Sequence, residues 1–354
     1  MKLFIKKIIL FCFPIGVLIL FPFVIAGVAG EFYSVRQVVK IQSSNIETLY
    51  LPAYIDATSA YKREAFRLSD SEIVAIGTSR VMQFRDYHFD GIGSFYNAGG
   101  IIHTVSDFEK AGDLIRLEKP LMVIVGVDPH LFRSEEQIGA SEGDHSTTLD
   151  FLSSFLVSGW KNLYADILKG KVPLSEISEW LKDNDYIGMQ ARVYKSGFRN
   201  DGSMKSRSQF SRTELLQQLK VDSEKSILDI NNGGGFEFTG SLSKQHLQYL
   251  DSFLAICASQ NVLVIGFIPP YISSIREALL KTDLNANKVS EFSNVMDKMF
   301  SKYEYRFFDA SNPASFGSSD EYLFDTVHAS DVMVDRLVDY WKELNILGLL
   351  SVVK

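Results

Sequence analysis

An uninterrupted apolar stretch opens the chain: after Lys2, Lys6 and Lys7 no charged residue occurs from Ile8 to Gly30. As a helix rising about 1.5 Å per residue, such a run crosses the roughly 30 Å of a bilayer's hydrocarbon. The pattern therefore predicts a membrane span or a signal peptide. Signal peptides have shorter apolar regions of about 7 to 15 residues, which favours an uncleaved anchor through residues 8–30. Gly27-Val28-Ala29 nevertheless offers small residues suited to cleavage. Basic residues precede the run and Glu31 follows it, so the positive-inside rule puts the N-terminus in the cytoplasm and the globular part outside. Pro14 and Pro22 are expected to kink this helix and to free carbonyls that a neighbouring group must satisfy.

Beyond residue 30 the pattern changes to short apolar runs separated by helical periodicity. Residues 31–70 read as a stalk followed by a helix, Ala53 to Leu68, that leads into the first strand. Glu72–Gly77 (EIVAIG), Ser94–Asn97 (SFYN) and Leu121–Val127 (LMVIVGV) read as strands, with Thr104–Leu117 helical between the last two. Ser243–Ser259 is then a helix, Val262–Ile268 a strand closed by Pro269-Pro270, Lys288–Lys302 a helix, Tyr305–Phe308 a strand, and about Asp331–Leu344 the last helix. Strands alternating with helices indicate an α/β fold with a parallel, doubly wound sheet. Roughly 110 residues, 136–242, lie between the third strand and the helix that precedes the fourth, far more than an ordinary connection, and predict a large mid-chain insertion. The expected organisation is an anchor over 1–30, the stalk and helix over 31–70, a catalytic domain over 71–135 and 243–346, and an insertion over 136–242 acting as a lid or substrate-binding element. The insertion contains an amphipathic stretch, Leu149–Leu168, the segment Phe198–Met204 (FRNDGSM) and a glycine-rich run, Asn231–Gly240. Its Trp160, Trp180, Tyr186 and Tyr194 form either the insertion's own core or a sugar-stacking surface.

Charge narrows the partners. The 354 residues carry a formal charge of −7, and beyond residue 30 the balance is 33 basic against 43 acidic residues. That disfavours a nucleic-acid partner. Cys12 and Cys257 fall on opposite sides of the membrane boundary, so neither a disulfide nor a cysteine-based metal site is expected. His88, His103, His130, His145 and His246 show no paired helical spacing, which argues against zinc; His103 and His130 follow strand ends, where they either line a cleft or play ordinary surface roles. No glycine-rich nucleotide loop opens a helix, and no cofactor is expected.

Three blocks at strand ends and one in the loop before the final helix carry the candidate chemistry. Gly77-Thr78-Ser79-Arg80 follows the first strand, where ligands of doubly wound folds bind, and Ser79 is a candidate nucleophile or a helix cap. Gly139-Ala140-Ser141 and Gly317-Ser318-Ser319 repeat the Gly-x-Ser pattern, but neither follows a strand. Asp325-Thr326-Val327-His328 precedes the final helix and supplies a base and the carboxylate that orients it, unless both residues serve a turn. Asn97-Ala98-Gly99-Gly100 closes the second strand: Asn97, Gly99 and Gly100 are candidate oxyanion donors with the Ser79 amide, or simply a turn. Gly126-Val127-Asp128 closes the third, where Asp128 orients a neighbour or a substrate hydroxyl, or caps the turn before Pro129.

Taken in chain order, Ser79, then Asn97-Ala98-Gly99-Gly100, then Gly126-Val127-Asp128, then Asp325-x-x-His328, the blocks resemble the SGNH (GDSL-like) hydrolase superfamily. The single anchor, the Gly-Thr-Ser-Arg block and the long insertion look like its membrane-anchored polysaccharide O-acyltransferase branch, similar to proteins of alginate O-acetylation and of D-alanyl transfer to teichoic acids. The resemblance covers about residues 72 to 135 and 243 to 345. It implies a flavodoxin-like three-layer α/β/α fold, Ser79 as the acylated nucleophile, His328 as general base and then acid, Asp325 as its orienter, and Gly99 with the Ser79 amide as oxyanion donors. It also implies a bacterial cytoplasmic membrane with the globular part periplasmic or extracellular, a polysaccharide acceptor and a multipass membrane acyltransferase as partner. One block departs from it: Asp128 stands where hydrolase members place a donor Asn, and a carboxylate would repel an oxyanion. Arg80 is an added cation that either holds an anionic glycan or pairs with a nearby acid. An esterase removing the same acyl groups, or a non-catalytic scaffold or glycan-binding subunit, remains an alternative.

Overall fold

The computed structural model describes residues 2–45, 47–136, 146–206 and 212–347. His145 and Gly139-Ala140-Ser141 lie outside the described residues. The chain divides into two compact units, one made of Met1–Glu64, Asp144–Asn200 and Met204–Arg207, the other of Ala65–Gly143, Asp201–Ser203 and Ser208–Lys354.

The second unit is built on five strands, β1 (Ile73–Gly77), β2 (Phe95–Gly99), β3 (Met122–Gly126), β4 (Leu263–Ile268) and β5 (Arg306–Asp309). They pair in the order β2-β1-β3-β4-β5, every pair parallel. The chain runs outward from β1 in both directions, so the carboxyl ends of β1 and β3 flank a switch point, the position where such sheets bind ligands. β1, β2 and β3 are buried along their whole length, as continuous apolar runs covered on both faces must be. Helices α1 (Asp107–Glu118), α2 (Arg212–Asn231), α3 (Lys244–Ser259), α4 (Ser273–Leu280), α5 (Asp283–Ser301) and α6 (Asp331–Glu343) complete the unit. α1 packs on α3, where Phe108 meets Phe253 with ring centroids 5.5 Å apart. α6 buries Trp341 against Phe84, Phe267 and Phe308 at 5.6–5.9 Å.

The outer edge of β2 is closed by Asp201–Ser203, which belong to the same unit. Asn97 donates its backbone N–H to the Asp201 carbonyl at 2.7 Å. Gly202, at φ +78, passes so close to the Asn97 carbonyl that a side chain there would collide with it. An edge strand is thereby kept from pairing with another chain.

The first unit is organised around the helix Lys2–Ala29, which is long and apolar enough to cross a membrane and continues through both Pro14 and Pro22. Its last turn is built into the unit's core: Ile25, Ala26 and Ala29 are buried with Phe155, Leu163, Val172, Trp180 and Met189. Polar bonds fix the helix end. The Ala29 carbonyl accepts from Gly188 N–H and Arg192 Nε, and the buried Glu31 carboxylate accepts from the N–H groups of Ala53 and Met189. A small sheet of two-residue strands joins Tyr186–Ile187, Leu49–Tyr50, Gly197–Phe198 and Met204–Lys205. Of the insertion's aromatics Trp180 is core, whereas Trp160 is 39% exposed. The helix expected over Ala53–Leu68 spans Thr58–Ser69, and α2 belongs to the sheet unit although it lies within residues 136–242.

Candidate active site

β1 delivers the chain to its carboxyl end at Gly77, and Thr78 caps a short 3-10 turn, Ser79–Val81, by accepting the Arg80 N–H at its hydroxyl. The turn lies flat on the strand ends because three of them finish in glycine. Val81 presses against Gly77, Gly99 and Gly126, and a Cβ on Gly99 or Gly126 would overlap its methyl groups. Val81 is fully buried, while Ser79 is exposed.

The opposing loop is held by its own bonds. Leu323 and Ala329 form an isolated antiparallel bridge, and Phe324 N–H donates to the His328 carbonyl at 2.8 Å. Asp325 Oδ1 accepts the backbone N–H groups of Val327 and His328 at 2.9 and 2.8 Å, and Oδ2 lies 2.7 Å from His328 Nδ1. The three-residue spacing therefore lets one carboxylate shape the turn and orient the ring. Burial works against ionising Asp325, but the His328 ring and the two backbone donors outweigh it and hold its pKa below the ordinary carboxylate value.

These two loops bring Ser79, His328 and Asp325 together. His328 Nε2 is 2.8 Å from Ser79 Oγ. With Asp325 accepting at Nδ1, the neutral ring carries its proton there and leaves Nε2 as the acceptor for the serine hydroxyl. A nucleophile, a base in hydrogen-bond reach and a group orienting that base are the geometry that activates a serine.

The remaining expected residues have other duties. Asn97 is buried, and its side-chain amide donates to the carbonyls of Val81 and Phe84, both at 2.8 Å, while its oxygen accepts the Gly99 N–H. Gly100, at φ +87, turns its N–H onto the Gly77 and Thr78 carbonyls. Asn97, Gly99 and Gly100 are thus corrected from oxyanion donors to the floor on which the nucleophile turn rests. Of the expected donors the Ser79 N–H alone is uncommitted among the described residues.

Asp128 is not an oxyanion group either. It is fully buried, accepting the Thr78 hydroxyl at 2.6 Å and Arg80 Nη1 at 2.8 Å. Arg80, 3% exposed in its side chain, also bonds Glu237 at 2.9 Å and the carbonyls of Pro269, Pro270 and Val327. Its guanidinium lies 4.3 Å from the Tyr271 ring centroid, and the Tyr271 hydroxyl donates to Glu237. Of the two roles open to Arg80, it takes the ion pair. Glu237 and Tyr271 escaped the sequence reading; the available signal was an acid between two phenylalanines in a glycine-rich run, and a tyrosine directly after the Pro-Pro that ends β4.

No three His, Cys, Asp or Glu side chains converge as a metal-ligating group among the described residues. Compared with known proteins, the chain matches no protein-family model and no curated sequence.

Proposed function

We propose that this chain is an exported, membrane-anchored serine acyltransferase of SGNH type that transfers an acyl group, acetyl foremost, to a hydroxyl of a cell-envelope or secreted polysaccharide. The observation that carries the reading is the Ser79–His328–Asp325 relay, with contacts of 2.8 and 2.7 Å. The apolar N-terminal helix and the order of the four blocks support the choice of substrate side, which a multipass membrane acyltransferase would feed with acyl groups.

In the first half-reaction Ser79 Oγ attacks the donor's acyl carbonyl and its proton passes to His328 Nε2. The Ser79 N–H is placed beside the carbonyl oxygen as it gains charge. Collapse of the tetrahedral intermediate breaks the bond to the donor oxygen, which takes the proton from Nε2 and leaves an acyl ester on Ser79. In the second half a sugar hydroxyl gives its proton to Nε2 and attacks that ester, and Oγ recovers the proton as the acyl group departs. Asp325 stays ionised throughout and steadies the imidazolium. Ser79 is exposed, which favours hydrolysis as the second reading, with water replacing the sugar hydroxyl.

The test is intact-mass analysis of the full chain in detergent after exposure to a fluorophosphonate or an activated acetyl ester. One adduct on wild type and none on Ser79→Ala is expected; a folded wild type without adduct overturns the reading. Labelled acetyl joining the polymer, rather than leaving it, separates transfer from hydrolysis.

A further inference from the structure

Pro22 has no N–H to give the carbonyl four residues earlier, so the helix Lys2–Ala29 leaves the Leu18 carbonyl without its intrahelical donor. The Tyr164 hydroxyl donates to that carbonyl, and the Tyr164 ring lies 6.4 Å from that of Phe21. Leu18 is three turns before the helix end, about 16 Å along its axis. The segment bearing Tyr164 therefore runs beside the apolar part of the helix and not only at its foot.

That segment, the helical run Thr148–Leu168 with a π turn at Phe155–Gly159, is apolar over more of its circumference than its unit covers. Phe151, Phe155 and Leu163 are buried, Phe155 edge-on to Phe23 at 5.0 Å and Phe32 at 5.2 Å. Leu149, Leu156, Val157, Trp160 and Leu168 stand out on the remaining apolar side, Val157 at 84% and Leu168 at 85% exposure. Large apolar side chains this exposed, repeated over successive turns, mark a surface that water does not normally keep.

We propose that Thr148–Leu168 is a second membrane-seated element, an interfacial helix whose exposed apolar side enters the lipid leaflet next to the N-terminal helix. The occupant is the acyl-chain region of the bilayer, because the exposed side chains continue the apolar surface of a helix that itself spans it. Trp160 supplies an aromatic anchor that settles at headgroup depth, and exposed Lys161 and Lys169 lie within reach of lipid phosphates. The insertion thus fixes the height of its unit above the membrane, and Tyr164 satisfies a carbonyl that lipid could not. The inference rests on reading the N-terminal helix as a membrane span.

The test uses the full chain in phosphatidylcholine vesicles, labelled with an environment-sensitive maleimide at one position per protein. The sites are native Cys12, exposed on the helix; Val157→Cys with Cys12→Ser; and Glu343→Cys with Cys12→Ser as the aqueous control. Cys257 is buried with its thiol pushed up to about 12, so it escapes labelling. Expected are blue-shifted emission and about twofold or greater quenching by doxyl lipid at positions 12 and 157, with no change at 343. Quenching at 12 with position 157 behaving like 343 overturns the inference and leaves the anchor intact. No quenching at 12 overturns the anchor, and the inference with it.

Discussion

Arg80 Nε donates to the Val327 carbonyl at 3.2 Å, so the residue after the nucleophile holds the residue before the base. The same guanidinium, itself buried, is neutralised by buried Asp128 and half-buried Glu237, and a buried charge without partners is costly. Arg80→Lys keeps the charge but cannot reach five acceptors from one planar fork. Its acylation rate by an activated acetyl ester should fall about tenfold or more with its thermal midpoint within a few degrees of wild type, since the relay is loosened and not removed. Arg80→Met abandons the buried Asp128 carboxylate and the half-buried Glu237 and should lower stability by about 3–5 kcal/mol in chemical denaturation. An Arg80→Lys protein that acylates like wild type would show that the Val327 tether does not position His328.

Val81 sits where Gly99 and Gly126 end their strands, and this contact sets the height of the Ser79 turn. Gly126→Ala inserts a methyl group into the Val81 side chain and should cost about 1–3 kcal/mol while lifting Ser79 away from His328. Trimming the neighbour in Gly126→Ala/Val81→Ala should restore most of the acylation rate lost in the single mutant. Failure of that rescue, with both proteins folded, would place the glycine's importance elsewhere.

The strands and the Ser79, Asp325 and His328 triplet were legible because each is local. A buried parallel strand is a short apolar run ended by glycine, and Asp-x-x-His carries its own turn bonds. The oxyanion expectation failed because Asn and Gly at a strand end look alike whether they donate to a ligand or to the chain; what decides is Val81, a contact the second strand's sequence does not contain. Glu237 and Tyr271 were invisible for the same reason, since their partner Arg80 is more than a hundred residues away. α2 escaped the periodicity because its apolar residues do not share a face: Leu219 and Ile230 are buried, but Leu216, Val221 and Leu228 are exposed.

His88 provides a pH test in the sheet unit. It is 1% exposed, its Nδ1 accepts the Arg85 N–H at 2.9 Å, and burial pushes its pKa down to about 4, with Asp331 and Asp201 pulling it up and Arg85 and Lys342 down. Between the ordinary value of about 6.5 and about 4, the unfolded chain takes up a proton that the folded chain refuses. The contribution of His88 to stability is therefore constant above that window and declines as pH falls through it. His88→Asn, whose side-chain oxygen can still accept from Arg85, should remove this slope, so denaturation midpoints at pH 7 and 4.5 should differ less in the mutant than in wild type. Equal differences in the two proteins would mean that His88 is not held neutral.

Ser79, His328 and Asp325 should fail as a unit. Removing the nucleophile leaves His328 with nothing to activate, and removing the base leaves the hydroxyl with its proton, so each single loss already abolishes the relay. Ser79→Ala and His328→Ala should each reduce acyl transfer by about 10⁴-fold or more, and the double mutant should be no slower than either. Asp325→Asn keeps an oxygen for the turn, but its amide can flip to offer an N–H to Nδ1, stabilising the ring tautomer that puts a proton on Nε2. It should cost about 10⁴-fold with the loop still folded. Transfer rates from labelled acetyl ester to polymer, measured alongside intact-mass adducts, check the set. Losses that multiply in the double mutant would mean that Ser79 and His328 act in separate steps, and the shared relay would then be wrong.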